Sequence, residues 1–554
     1  MNRIARSFVL GLIAGGVALL ISAILRIFAG GLFLPELASQ TLFSLTPGQV
    51  ESFSVETFGA LAKYSAFVGA ITVNLVLYGA LATFTKKIYD RLAQKGFLLN
   101  MLQLSFIPYF VMVAISAFLL QLNELLTRSS EIQYALIFLL LPHVVSGRVL
   151  YYLFDRGSAK RKISPSVPPT PTPAPSSTTP HPVRTSKVTR RQFVIMAASA
   201  LVVTVLYFWA RNFLHTDMPP MPPENTPPPP MPPPNLPPGS IFNEAAFAPL
   251  LASEATPNDK FYRIDTNIIV PSVDANSWRL NVRGLIESGP LQFTYNELKA
   301  MPSVTEYATL ECISDKVAGD LISTALWRGI RLKSILEKAR VKPEAIYIVF
   351  RCYDGYDVGI PLDRGLFEGT ILAYEMNGVP LPIEHGFPVR AIVPGLYGMM
   401  NAKWITDIEL VDKIYEGFWQ RRGWANNAEY KTRSKIVFPS DTLRTRIEQL
   451  AAPSTPSVGS KSPIAGIAFA GDRGISKVEV SIDGGNTWQT ASIKDPLSAN
   501  SWVLWAIDWV PKAKGKYNIL VRATDKVGNV QTSEISDPYP SGATGYQSVE
   551  VDLA

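Results

Sequence analysis

The first 154 residues contain four apolar runs with few charges, at residues 8–28, 60–84, 97–120 and 134–154. About 20 apolar residues let an α-helix cross roughly 30 Å of hydrocarbon, and four such runs in succession exceed what a soluble core absorbs. A fifth run follows at residues 193–209. Residues 1–157 are therefore expected to form a four-helix transmembrane region, and residues 190–212 a fifth membrane helix.

Basic residues concentrate in alternate connections. Arg3 and Arg6 precede the first run, Lys86, Lys87, Arg91 and Lys95 separate the second and third, and Arg156, Lys160, Arg161, Lys162, Arg184, Lys187, Arg190 and Arg191 separate the fourth and fifth. The positive-inside rule assigns these connections to the cytoplasm, and an odd number of spans puts everything after Trp209 outside. The expected location is the cell membrane, multi-pass, with the soluble part on the extracytoplasmic side. Much of the net charge of +7 lies beside apolar runs, so it reads as membrane flank and no nucleic-acid partner is expected.

Two proline-rich segments punctuate the chain. Residues 158–189, rich in Pro, Ser and Thr, read as a disordered cytoplasmic linker. Thr189, Arg190, Arg191, Gln192 and Phe193 resemble a twin-arginine export signal, and no small-residue cleavage site follows, so the span is expected to stay as an anchor. Within an expected stalk at residues 213–240, prolines 227–230 and 232–234 favour polyproline II over the block 218–238, about 60 Å at most.

Residues 241–447 mix helical and strand patterns. Residues 278–282 and 347–351 read as strands, and Leu332, Ile335, Leu336 and Ala339 have helical spacing. Residues 448–554 read as a β-sandwich: Val478, Val480 and Ile482 alternate before Asp483, Gly484 and Gly485, and Tyr517, Ile519 and Val521 alternate again.

The chain has two cysteines, Cys312 and Cys352, and no CxxC pattern. This excludes a disulfide framework, a thiolate zinc site, a covalent haem and an iron–sulfur set. His143 is the only histidine in the four-span region, which excludes an intrinsic bis-histidine haem. Cys312 follows an expected strand, residues 307–311, and opens a polar stretch, Ser314, Asp315 and Lys316; a thiolate there suits a high-valent metal. Cys352 closes an apolar run and reads as a core thiol. Downstream, His385, Arg390 and Lys403 surround Gly395 and Gly398: basic donors for phosphate oxygens, and glycines that let backbone approach a bulky ring.

With Thr309, Leu310, Glu311, Cys312, Ile313 and Ser314, the segment 383–404 closely resembles the sulfite oxidase family of molybdopterin enzymes. The resemblance spans about residues 241–554 and includes Phe261, Tyr262, Arg263, Trp327, Arg328, Gly329 and the run from Ala373 to Gly378. It implies an α+β molybdopterin-binding domain of sulfite oxidase type, residues 241–447, and a C-terminal immunoglobulin-like β-sandwich of the dimerisation type, residues 448–554. It also implies Mo-molybdopterin held through Cys312, with Asn267, His385, Arg390 and Lys403 on the cofactor and Tyr356 as active-site tyrosine.

Where sulfite oxidases carry Arg, Asn and His, this chain has Asp265, Thr266 and Asn267; Ser314, Asp315 and Lys316 replace arginines after the metal cysteine. An aspartate repels an oxyanion, with Lys316, Arg263 or Arg328 as compensating cations. The expected function is oxo transfer on a small sulfur-containing or related substrate, with electrons passing to a separate cytochrome or quinone-linked carrier, and a homodimer through the C-terminal domain. The alternatives are a sulfoxide reductase on the same fold, a non-enzymatic surface-binding module, and a cysteine hydrolase using Cys312 and His385.

Overall fold

The computed structural model describes residues 3–29, 32–47, 49–50, 53–54, 60–94, 106–122, 139–150, 152–153, 236–267, 270–439 and 456–553. The chain divides into two units, Met1–Leu45 with Ala60–Met218, and Thr46–Gly59 with Pro219–Ala554.

The first unit is helical: α1 (Arg3–Ala29), α2 (Leu34–Leu45), α3 (Ala60–Gln94), α4 (Phe106–Leu122) and α5 (Leu139–Leu150). Two apolar stretches, Ile4–Arg26 and Tyr64–Leu92, are long enough to cross a membrane. The shorter one, at 1.5 Å per residue, extends about 34 Å. Of the third and fourth expected spans, only the shorter pieces α4 and α5 lie within the described residues. The fifth span, the linker and most of the stalk lie outside them.

Helix α2 was not expected, because its segment is short and carries Glu36. The carboxylate is buried and accepts from Arg26 Nε at 2.8 Å and Nη2 at 3.0 Å, which removes the charge that argued against packing. In the same unit the Tyr78 hydroxyl and His143 Nε2 lie 3.0 Å apart, while His143 Nδ1 donates to the Leu139 carbonyl at 2.6 Å.

The second unit carries the expected strands. In chain order these are β1 (Arg279–Gly284), β2 (Leu291–Thr294), β3 (Ser303–Glu311), β4 (Ile322–Arg331), β5 (Tyr347–Cys352), β6 (Asp357–Pro361), β7 (Ile371–Met376), β8 (Val379–Pro380), β9 (Arg390–Ile392) and β10 (Ile405–Val411). They form two sheets. One runs β2-β1-β10-β5-β6, with β1 parallel to β10 and the other pairs antiparallel; the other runs β3-β4-β7-β8, with β9 on β7.

Local chemistry explains two of the short helices between these strands. In α6 (Tyr295–Ala300), Thr294 Oγ1 accepts from the Glu297 amide at 3.1 Å while Glu297 accepts from the Thr294 amide at 2.7 Å, a reciprocal N-terminal cap. In α7 (Leu332–Ala339), Leu332, Ile335, Leu336 and Ala339 are all buried, as the spacing predicts. Each of the larger three contributes about 1.5–3 kcal/mol by leaving water.

The remaining strands are β11 (Arg433–Phe438), β12 (Ser462–Phe469), β13 (Ile475–Ser481), β14 (Gln489–Thr490), β15 (Ser492–Ile493), β16 (Val503–Trp509), β17 (Gly515–Asp525) and β18 (Gln547–Leu553). They form two four-stranded antiparallel sheets, β11-β12-β16-β15 and β14-β13-β17-β18. Ile464, Trp505 and Ile507 from one sheet share a core with Val478, Val480, Ile519 and Val521 from the other. The boundary expected after residue 447 is corrected here, because β11 precedes it yet is an edge strand of the C-terminal domain.

Polar contacts, buried at Glu254 and Lys494 and half-buried at Arg364 and Asp472, join the two domains of this unit. Lys494 Nζ lies 2.9 Å from Glu254 Oε1, and the Trp502 indole donates to the Glu254 carbonyl at 3.1 Å. Arg364 meets Asp472 at 2.6 Å.

Candidate active site

Five chain segments, residues 261–266, 310–314, 354–356, 385–404 and 419–424, converge on one cavity. Strand β3 ends at Glu311 and delivers Cys312, 7% exposed, to the cavity wall. The turn between β5 and β6 brings Asp354 and Tyr356. The segment from the 3₁₀ turn Ile383–His385 through β9 to the start of β10 brings His385, Arg390, Gly398, Met399, Asn401 and Lys403. The cavity opens to solvent, and Trp419 and Trp424 add an aromatic wall.

Of the residues expected from the sequence, Cys312, Tyr356, His385, Arg390 and Lys403 all line this cavity. Asn267 does not: it is buried and donates from Nδ2 to Asp354 Oδ2 at 2.6 Å. Asp354 in turn accepts from the Tyr356 amide at 3.1 Å, and the Tyr356 hydroxyl donates to the Met399 carbonyl at 2.7 Å. Asn267 thus acts on the cavity through Asp354 and the tyrosine turn. Burial keeps the Tyr356 phenol protonated well above the ordinary range and raises the Asp354 carboxyl, an effect the Asn267 hydrogen bond opposes.

The expected basic trio contains two cations and one neutral ring. His385 Nε2 must donate to the Asn258 carbonyl, 3.0 Å away, since a carbonyl oxygen only accepts. Burial first, then the neighbouring cations, push this imidazole down to about 3, so it brings no charge at neutral pH. Arg390 is buried over the Trp327 ring and donates to the His385 and Asn401 carbonyls at 3.1 and 3.4 Å. Burial lowers it to about 10, so it stays charged. Burial brings Lys403 down to about 8, against the raising influence of Asp265.

Asp265 sits 3.2 Å from Arg263 Nε and 3.4 Å from Lys403 Nζ. The expected repulsion of an oxyanion by Asp265 is therefore offset inside a three-residue cluster. Of the compensating cations considered, Arg263 alone lines the cavity among the described residues. Arg328 bonds Ser303 and Glu375 on the sheet surface, and Lys316 borders a separate small cavity.

The glycines divide as well. A Cβ at Gly398 would stand 2.3 Å from the Tyr262 hydroxyl and 3.1 Å from the Glu311 carbonyl, so this glycine permits the close approach that forms the cavity floor. Gly395 (φ +85°) has another task, because its Cβ would meet Arg364 and Asp472 at the contact with the C-terminal domain. Gly395 therefore serves the contact with the C-terminal domain and not the approach to a ring.

Residues not anticipated are Asp354, which fixes the tyrosine turn, and Arg433, which reaches Glu311 and Asp315 on either side of Cys312. The adjacent Asp354, Gly355 and Tyr356 signalled a turn; Arg433 left no local signal, since its partners lie more than a hundred residues away.

This donor set fits a phosphate-bearing metallocofactor. A thiol and three cations, Arg263, Arg390 and Lys403, share one cavity, and Arg390 Nε is buried with no acceptor among the described residues. Comparison with known proteins agrees. Residues 267–419 match the model of the oxidoreductase molybdopterin binding domain, and residues 425–537 that of the Mo-co oxidoreductase dimerisation domain. Mitochondrial sulfite oxidase of Rattus norvegicus is 31% identical over 323 residues, covering 52% of this chain and 59% of that protein.

The oxidoreductase YuiH of Bacillus subtilis (strain 168) is 36% identical over 151 residues, 27% of this chain and 74% of that one. Among solved structures, the sulfane dehydrogenase SoxCD from Paracoccus pantotrophus aligns with a TM-score of 0.44 at 23% identity, covering 52% of this chain and 80% of that one. The chain spans less than two thirds of the length of the mammalian sulfite oxidases it matches. It belongs to the sulfite oxidase family of molybdopterin-dependent oxidoreductases, and its cofactor is molybdopterin with molybdenum.

Proposed function

We propose that this chain is a membrane-anchored, extracytoplasmic oxidoreductase of sulfite oxidase type that transfers an oxygen atom to or from a small sulfur-containing substrate. The observation that carries this reading is the opening of Cys312, Tyr356, Arg390 and Lys403 into one cavity. Cys312 would ligate molybdenum, while Arg390 and Lys403 would hold the pterin phosphate, with His385 packed beside them. The bound cofactor supplies the two-electron, oxygen-atom chemistry.

The protein supplies position and field. Arg390 is pre-aimed by two backbone carbonyls, so it loses little freedom on meeting a phosphate. Asn267 and Asp354 fix the turn that presents Tyr356, whose oxygen keeps lone pairs for a substrate donor. Trp419 and Trp424 exclude water from one side. Electrons pass to a separate carrier, cytochrome or quinone-linked, because the chain has no cysteine set for haem or clusters of its own.

A second reading, a sulfoxide reductase, is favoured by one observation: Asp265 offsets one of the two positive charges on Arg263 and Lys403, which weakens the pull on sulfite and suits a neutral S–O substrate. The C-terminal strand orders correspond to the ABED and C′CFG sheets of an immunoglobulin-like domain, which supports that reading and a homodimer through it. Metal analysis of the full-length protein tests the assignment: about one molybdenum per chain, lost in Cys312→Ala, is expected. A fully folded wild-type protein that takes up none in a cofactor-competent host contradicts it. Parallel assays of sulfite oxidation and sulfoxide reduction decide the substrate.

A further inference from the structure

We propose that strand β11 of the C-terminal domain is a positioning strap for the metal-ligating cysteine, with Arg433 and Lys435 as its two positioning residues. The proposal rests on the reading of Cys312 as the molybdenum ligand.

Arg433 and Lys435 are two apart on one strand, so both side chains leave the same face. That face meets the loop 312–321, which carries Cys312 between β3 and β4. Arg433 Nη1 lies 2.5 Å from Glu311 Oε1 and 2.7 Å from Asp315 Oδ2, and Nη2 donates to the Lys316 carbonyl at 3.2 Å. Lys435 is 1% exposed, and its Nζ donates to Asp320 Oδ1 at 2.6 Å and to the Gly319 carbonyl at 3.3 Å. One cation grips the loop where it leaves β3, the other where it enters β4.

The loop is also closed on itself. The Cys312 amide donates to the Leu321 carbonyl at 2.9 Å, the Asp315 amide to the Cys312 carbonyl at 3.0 Å, and the Leu321 amide to Asp315 Oδ1 at 3.1 Å. Asp315 therefore accepts from both Leu321 and Arg433, so a shift of β11 is passed to the backbone that aims the Cys312 sulfur. Cohesion between domains does not require this device, because buried ion pairs are expensive to desolvate and apolar side chains of equal volume would join two domains as well. Fixed geometry is what charged, directional bonds add.

The test uses the full-length chain and the variants Arg433→Gln, Arg433→Lys and Lys435→Met. Two quantities are read: the sulfur-to-molybdenum charge-transfer absorption of the cofactor-loaded protein, and the alkylation rate of Cys312 in cofactor-depleted protein, with Cys352 as internal reference. A displaced band is expected in Arg433→Gln, with Cys312 alkylation faster by about tenfold, Cys352 unchanged, and Arg433→Lys closer to wild type. An unmoved band and unchanged Cys312 rate in both Arg433→Gln and Lys435→Met overturn the proposal. If both cysteines speed up together in Arg433→Gln, that variant has lost its fold and Lys435→Met decides on the same readouts; a parallel rise there too assigns the strap to domain cohesion alone and overturns the proposal. A charge-transfer spectrum identical in wild type and in cofactor-retaining Cys312→Ala, and so owed to the pterin sulfurs alone, instead overturns the ligand assignment, and is thereby told apart from failure of the strap.

Discussion

The ends of β3 and β5 make an instructive pair. Cys312 directly follows β3 and Cys352 closes β5, both are buried, at 7% and 1% exposure, and nothing in either strand's own sequence separates them. At the end of β3, Cys312 opens into a cavity that also receives Arg263, Arg390 and Lys403. At the end of β5, Cys352 lies in the core, its thiol pushed well above the usual range by burial and then by Asp354 and Asp357. What suits a buried cysteine to ligand chemistry is the charge that other segments bring to it, and the strand that delivers it does not decide this.

That contrast is broken most decisively by exchanging the losers. Cys312→Ala should lose most of the molybdenum it acquires in the cell, whereas Cys352→Ala should keep it and cost about 1 kcal/mol of stability, read by metal analysis and urea unfolding of the same preparations. Next in size is Arg390. Arg390→Met should lose most of the cofactor and Arg390→Lys should retain part of it, since a point charge replaces a fork held by two carbonyls; equal retention in both would remove the bidentate role.

A smaller, pH-dependent effect belongs to Lys403, held at about 8 against an ordinary 10.5. Below pH 8 the folded and unfolded chains both carry its proton, and between 8 and 10.5 only the unfolded chain does. Stability of the cofactor-free protein should therefore rise with pH across that window, while cofactor retention falls as the charge facing phosphate is lost. Lys403→Met should flatten both slopes, measured by denaturant midpoints and cofactor release on either side of pH 8. The least effect is expected from Arg328→Ala, whose half-exposed pair with Glu375 is worth up to about 0.5 kcal/mol and should leave cofactor content untouched.

Local patterns were legible in the sequence wherever one residue's neighbours decide its state. The buried stripe of α7, the alternation in β13 and β17, and the strand before Cys312 follow from spacing alone. Helix α2 was not, because burial of Glu36 depends on Arg26 arriving from another helix. The domain boundary fell too late because β11 joins β12 across a long intervening segment. In the site, the residue types at Cys312, Tyr356, Arg390 and Lys403 were readable, while the neutrality of His385, the turn away of Asn267 and the grip of Arg433 arise from contacts distant in sequence.

The sulfur environment of the metal tests the central claim most directly. X-ray absorption at the molybdenum edge of the cofactor-loaded full-length protein should show a cysteine sulfur beside the pterin sulfurs, with one fewer sulfur neighbour in a Cys312→Ala protein reconstituted with cofactor. An identical sulfur shell in the two proteins would contradict it, and would show that the thiol at the end of β3 faces the cavity without touching the metal.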